Sequence, residues 1–270
     1  MLSENLQTNV DSLQIPQHRE GYLVVMTACI DPSRGVAQGQ RRDPLVRLDD
    51  YKQAVRFWLK LPDRRLNRIV FIENSGYPLN VIHQLVKSEN LLGKQFEAVS
   101  LNCNDYPPHL DYGYAELNML DQGLAVSRLA REAKHYVKAT GRLTFPGISK
   151  LLDRLPQEYQ FAVDSRTALP LRGRKELWLH TRLMIVSADF YEKHLRDVKQ
   201  RLVRRECVEL MLYRFFAEFE GQPGAIRRFP VHVPNRGVSG WSGESYDTPK
   251  RRALDLLRSW SRVIAPAWWI

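Results

Sequence analysis

Cysteine is scarce in this chain. There are three among 270 residues, Cys29, Cys103 and Cys207, far apart and each in an apolar context. That distribution offers neither a disulfide framework nor the paired ligands of a zinc site, and it predicts buried thiols in a reducing compartment. Long apolar runs are missing too: none approaches the ~20 residues that cross a bilayer. The first twenty residues are polar and lack the basic and apolar regions of a signal peptide, so the expected location is cytoplasmic. No Gly-x-x-x-x-Gly-Lys-Ser/Thr occurs, which counts against a P-loop NTPase. No Gly-x-Gly-x-x-Gly follows the first strand, which counts against a dinucleotide enzyme. The histidines are scattered, with no pair at metal-ligand spacing.

What is present bounds the class. With 44% hydrophobic and 10% aromatic residues, the chain can bury a sizeable core, as one large domain or one domain with a helical appendage. The formal net charge is +10, which favours acidic partners. The excess is spread through mixed-sign segments without a basic tail, so nucleic acid is not the expected partner and a phosphate-handling site fits better. A noncatalytic polyanion- or nucleic-acid-binding protein is the alternative. It would need its cations gathered in one groove and would bind in a strongly salt-dependent way.

Patterning predicts an α/β fold with a mainly parallel central sheet, helices on both faces and a helical C-terminal portion. Residues 1–20 read as a flexible lead, 21–247 as the α/β domain, and 248–270 as an amphipathic helix with a tail. Residues 22–30 (YLVVMTACI) and 68–73 (RIVFIE) are continuous β-branched runs, the mark of strands buried on both faces. A helix over 48–61 separates them. A further helix over 79–87, a strand over 96–101, a long helix over 116–134 and a strand over 133–139 continue the βαβα alternation. The second half predicts strands at 160–163 and 177–186, an interrupted helical stretch over 188–220, a glycine-rich loop over 235–246, and a terminal helix started by Thr248-Pro249.

Ligands of open α/β sheets bind at the carboxyl ends of the strands, and four such ends carry polar groups. The first offers Thr27 and Asp31, the second Glu73, Asn74 and Ser75, and the third Lys138-Ala139-Thr140-Gly141-Arg142. The fourth offers Asp164 and Arg166. Lys138, Thr140, Gly141 and Arg142 suit an oxyanion, because they supply cations, a hydroxyl and close backbone approach without a repelling carboxylate. Thr27 and Asn74 can bond a base or ribose, and Asp31 can accept from ribose hydroxyls. Asn74 and Ser75 equally suit capping of the next helix.

Several short motifs carry a resemblance. Thr27-Ala28-Cys29-Ile30-Asp31-Pro32, Val70-Phe71-Ile72-Glu73-Asn74-Ser75-Gly76, Gly113-Tyr114-Ala115-Glu116 with 137–142, and Gly237-Val238-Ser239-Gly240-Trp241-Ser242-Gly243 are similar to segments of GT-A-like glycosyltransferases of bacterial capsule and O-antigen gene clusters. The resemblance implies sugar transfer from a nucleotide-activated donor to a glycan or lipid-linked acceptor. The chain departs from the wider fold in lacking an Asp-x-Asp, the motif that holds a divalent metal on the donor diphosphate. Fixed cations, Lys138 and Arg142, stand there instead, so no metal cofactor is expected to be required. Ser239 lies in a glycine-serine loop that can close over the donor or equally serve as a plain surface loop. A carboxylate must deprotonate the acceptor in an inverting transfer. Asp164 and Glu116 rank first for that role, with an ion pair to Arg166 the alternative for Asp164 and a charge partner for the helix dipole the alternative for Glu116. Glu206 and Glu209 follow, because their setting beside Arg204 and Arg205 reads as a solvated charge cluster.

Residues 250–270 combine Lys250, Arg251, Arg252, Arg258 and Arg262 with the apolar residues Ala253, Leu256, Leu257, Trp260, Val263 and Ile264 and a Trp268-Trp269-Ile270 end. Such a helix can lie on an anionic membrane, a peripheral contact at the inner face of the cell membrane. The favoured expectation is that its apolar stripe packs on the sheet, as in most globular proteins.

Overall fold

The computed structural model describes residues 21–35, 39–167 and 177–265. The lead over 1–20 and the Trp268-Trp269-Ile270 end fall outside them. The strands are β1 (Tyr22–Ala28), β2 (Arg68–Glu73), β3 (Gln95–Ser100), β4 (His135–Thr140), β5 (Leu143–Thr144), β6 (Phe161–Ala162), β7 (Ser165–Thr167), β8 (Leu177–Leu179), β9 (Leu183–Ser187), β10 (Ala225–Ile226) and β11 (Arg236–Gly237). The helices are α1 (Pro44–Lys60), α2 (Asn80–Glu89), α3 (Gly113–Val126), α4 (Arg128–Arg131), α5 (Ile148–Leu152), α6 (Ala188–Phe190), α7 (Val208–Ala217) and α8 (Pro249–Ile264).

Seven strands form one sheet in the order β10-β6-β9-β4-β1-β2-β3. β1 pairs in parallel with β2 and with β4, and β2 with β3, whereas β9 runs antiparallel between β4 and β6. The α/β class with a mainly parallel sheet therefore holds. Its physical basis is the alternation of side chains along each strand. Val24 and Met26 of β1 pack with Trp58 and Tyr51 of α1 on one face. Leu23 and Val25 pack on the other with Leu120 and Leu124 of α3. The helices α1 and α2 cover the first face and α3 and α7 the second, so the chain changes faces between β3 and β4. That reversal opens a crevice beyond the carboxyl ends of β1, β2 and β4, where such sheets bind ligands.

The structure corrects several expected elements. The helix expected over 116–134 ends at Val126, because the backbone becomes extended at buried Ser127, whose Oγ accepts the Ala130 amide at 3.1 Å to begin α4. The apolar run 177–186 is two strands. Its polar middle, His180-Thr181-Arg182, turns so that β8 pairs with β7 while β9 enters the sheet. The stretch 188–220 is helical only in pieces, with a regular helix over α7. Of the thiols expected to be buried, Cys103 is buried, Cys29 is half-buried and Cys207 is exposed.

Candidate functional site

The crevice is a cleft of about 420 Å³, within the size range of small-molecule and cofactor sites. Its floor comes from strand ends: Thr27, Ala28 and Cys29 after β1, Asn74 after β2, Thr140 and Arg142 after β4. The loop after β1 is held open by α1. Arg47 Nε donates to the Cys29 carbonyl at 2.6 Å, and the Cys29 amide donates to the Tyr51 hydroxyl at 2.8 Å. Glu73, wholly buried, ties the first two loops together by accepting the amides of Ile30 (2.9 Å), Ser75 and Tyr77 (both 3.0 Å). Glu73 and Ser75 thus build the wall, while Asn74 faces the cleft. Asn74 donates Nδ2 to Asn104 at 3.2 Å, and its Oδ1 is buried without a partner among the described residues.

Of the residues expected to bind the donor, Thr27, Asn74, Thr140, Arg142 and Ser239 line the cleft, as does Glu116. Three do not. Lys138 is 4% exposed and lies beneath the floor, on the α3 side of the sheet, in register with Val25. Its ammonium donates to the Thr181 carbonyl at 2.6 Å and pairs with Glu116 Oε1 at 2.8 Å. Asp31 is turned into its own loop, accepting the Ser33 amide (3.1 Å) and Arg34 Nε (3.0 Å). Gly141 serves strand packing rather than ligand approach. Its amide donates to the Thr27 carbonyl at 2.9 Å, and a Cβ there would stand 2.6 Å from that oxygen. Gly141→Ala is accordingly expected to cost about 1–3 kcal/mol, read as a lower midpoint in denaturant unfolding.

The carboxylates divide sharply. Asp164 is away from the cleft and 2% exposed, with Oδ2 taken by Arg166 Nε at 2.7 Å and Oδ1 by Arg262 Nη2 at 2.6 Å. Burial alone would raise its carboxyl, but the two guanidinium groups outweigh that and hold it below the usual range. With both oxygens occupied it cannot reach an acceptor hydroxyl, which corrects its ranking as a base. Glu116 is half-buried. Burial raises its carboxyl, yet Lys138 and the Thr27 hydroxyl, donating at 2.8 Å, lower it overall. Glu209, in the first turn of α7, lines the cleft with no ion pair among the described residues. Burial raises its carboxyl, and the nearby Asp111 and Glu116 carboxylates add to the shift.

Tertiary structure adds groups that the sequence did not single out. Arg182, from the turn before β9, and Arg251, from the first turn of α8, both line the cleft. They stand 4.4 and 5.6 Å from the ring centre of Tyr246. The rim is a stacked pair, Tyr112 of the α3 approach and Trp241 of the glycine-rich loop, with centroids 5.7 Å apart. That loop is brought over the cleft by β11, which pairs with β5 immediately after β4. Arg142 Nη1 donates to the Val238 carbonyl at 2.7 Å, and a Cβ on Gly240 would come within 2.3 Å of Arg142 Nη2. The glycine lets the loop lie against the guanidinium. The one sequence signal for Arg182 was three polar residues inside an apolar run; Arg251 was marked only as one of the basic residues of the terminal helix, with nothing to place it at the cleft. Among the described residues no three His, Cys, Asp or Glu side chains converge to hold a metal ion.

No protein family matches the chain, and no curated protein matches it. Solved structures share its general course. WbbM, a bifunctional glycosyltransferase, is 11% identical with a TM-score of 0.48, over 78% of this chain and 39% of its own. The inositol-1-phosphate CTP transferase of T. maritima is 11% identical with a TM-score of 0.46, over 92% and 98%. Mouse xyloside xylosyltransferase 1 is 10% identical with a TM-score of 0.43, over 78% and 84%. Likeness at this level describes a path of the backbone and no more.

Proposed function

We propose that the chain is a glycosyltransferase that moves a sugar from a nucleotide-activated donor to a glycan or lipid-linked acceptor in cell-surface polysaccharide synthesis, using fixed cations in place of an essential metal. The observation that carries this reading is the gathering, in one cleft at the strand ends, of Arg142, Arg182 and Arg251 with a carboxylate, Glu209, that has no ion pair among the described residues. Departure of a nucleoside diphosphate develops negative charge on phosphate, which preorganised cations stabilise. Asn74, with an unsatisfied buried oxygen, suits an N–H of the base. The Tyr112–Trp241 pair supplies a flat apolar surface for a ring. Lys138 acts from below, keeping Glu116 ionised and fixed beside Thr27, where its free oxygen can accept from a sugar hydroxyl. Glu209 takes the role of acceptor base.

A polyanion-binding groove fits less well, because Glu116, Glu209 and Glu244 line the same cleft and would repel a continuous phosphate backbone. A thermal-shift screen of nucleoside diphosphate sugars against oligonucleotides separates the two. Selective stabilisation by one nucleotide class is expected, since ligands of the native state raise its stability by mass action. Stabilisation by oligonucleotides alone would reverse the reading.

Arg142→Ala is expected to reduce turnover about 10²-fold. The lost bond to Val238 costs stability about 1 kcal/mol, a shift of roughly 2–4 °C in the thermal midpoint. Steady-state transfer assays beside a melting curve check both. Activity close to that of the unaltered protein would remove the guanidinium from the mechanism.

A further inference from the structure

Helix α8 is mounted with its amphipathicity reversed. Its charged face is the one that packs on the body: Arg262 pairs with buried Asp164, Asp255 accepts from His232 and Arg236 at 2.8 and 2.6 Å, and Arg251 enters the cleft. Ser261 and Arg262 are its buried residues. The apolar stripe faces outward, with Leu256, Leu257, Trp260, Val263 and Ile264 exposed by 48% (Leu257) to 82% (Val263). The expected packing of this stripe on the sheet is therefore overturned. The polar anchors fix the helix about its axis, and the apolar row at helical spacing has nothing against it among the described residues.

We infer that this stripe is a docking surface for an anionic lipid bilayer, and that it sets the mouth of the cleft at the membrane surface. The charge argues for that occupant. The chain carries a net +10, and exposed Lys250 and Arg252 lie at helical offsets on either side of the stripe, the arrangement of helices that sink an apolar face among anionic headgroups. Trp260, at its centre, suits the interface. The size argues against a second copy of the chain. Sixteen residues make a helix about 24 Å long, and one stripe of it offers far less than the ~800 Å² per partner of a stable interface. No helix among the described residues is long and apolar enough to cross a membrane, so the contact is a surface one. Because Arg251 lines the cleft from this same helix, docking brings lipid beside the site. The inference deepens the proposed transfer by selecting a lipid-linked acceptor, and rests on that reading only for this last step.

The test is flotation of the full chain with vesicles of phosphatidylcholine alone or mixed with phosphatidylglycerol, without donor or acceptor. The expected result is binding to the mixed vesicles at low salt, release at high salt, and weak binding to phosphatidylcholine alone. The double substitution Leu256→Ser, Trp260→Ser is expected to weaken partitioning at least about tenfold with an unchanged thermal midpoint, and Lys250→Glu to weaken it at constant apolar surface. No binding by the unaltered chain overturns the inference. So does a sharp fall in midpoint for the double variant, which would show that the stripe is covered by the chain itself. A concentration-dependent dimer, dissolved by the double variant and indifferent to vesicles, also overturns it. Nucleotide binding, read separately by thermal shift, reports on the transferase reading whichever way the vesicles answer.

Discussion

Glu209→Gln is expected to lower the rate of transfer by about 10²–10⁴-fold while donor affinity stays within a factor of a few. The amide keeps the size of the side chain and its place in the first turn of α7, but it cannot take the acceptor proton. The pH dependence supplies a second reading. A base works ionised, so the rate should rise with pH through the carboxyl's own value. Burial and the Asp111 and Glu116 carboxylates place that value above the ordinary ~4.3 of glutamate. The acidic limb of kcat should therefore lie above that figure and flatten in the variant. Stability should move the other way from activity. A carboxyl raised on folding weakens the native state once pH exceeds its unfolded value, so at neutral pH the glutamine variant should melt no lower than the parent. A variant that transfers sugar normally, or one that loses activity only because it unfolds, would move the base elsewhere in the cleft.

Asp164→Ala is expected to destabilise the protein by about 3–5 kcal/mol, the largest stability effect foreseen for a single site here. The cause is specific. Removing the carboxylate leaves Arg166 and Arg262 facing each other in a site where both are under 9% exposed. It also releases the anchor of α8. Urea unfolding measures the loss, and a decrease under about 1 kcal/mol would assign this cluster the low worth of a surface ion pair. The pH sign follows from the lowered carboxyl. Its contribution is complete above the unfolded value of about 3.9 and is lost as pH falls through the folded one. The gap between parent and variant should thus be widest near neutrality and close in acid.

The fold was legible in the first half because burial on both faces leaves an unambiguous mark. Strands β1 and β2 are continuous apolar runs, and α1 and α2 recur at helical spacing between strands. The second half was harder to read. Strands β10 and β11 are two residues each, too short for any periodicity. The run 177–186 hides a turn that only pairing partners reveal. At the site, chemistry-bearing residues at strand ends were visible from position alone, and six of the ten expected residues do line the cleft. The other four failed for one reason: residue type tells what a side chain can bond, not what already occupies it. Asp164 spends its charge on Arg166, two residues on, and on distant Arg262; Lys138 spends its own on Glu116 and the Thr181 carbonyl; Asp31 bonds within its own turn, and Gly141 answers to the backbone of β1.

The sequence by itself determined which segments must be buried strands, the class of the sheet, and the strand ends that open on the cleft, because those follow from the local pattern of apolar residues. It also pointed to Arg142 and to the glycine-rich loop, which the structure brings to one cleft. Tertiary structure alone decided which carboxylate stays without an ion pair among the described residues, Glu209 rather than Asp164, since the second oxygen of Asp164 is taken by Arg262, on a helix ninety-eight residues away. It alone decided the direction in which α8 faces. An amphipathic pattern fixes two faces but not which of them meets the body; here the ion pairs to Asp164 and Arg236 and the hydrogen bond to His232 turned the charged face inward and left the apolar one to the surroundings.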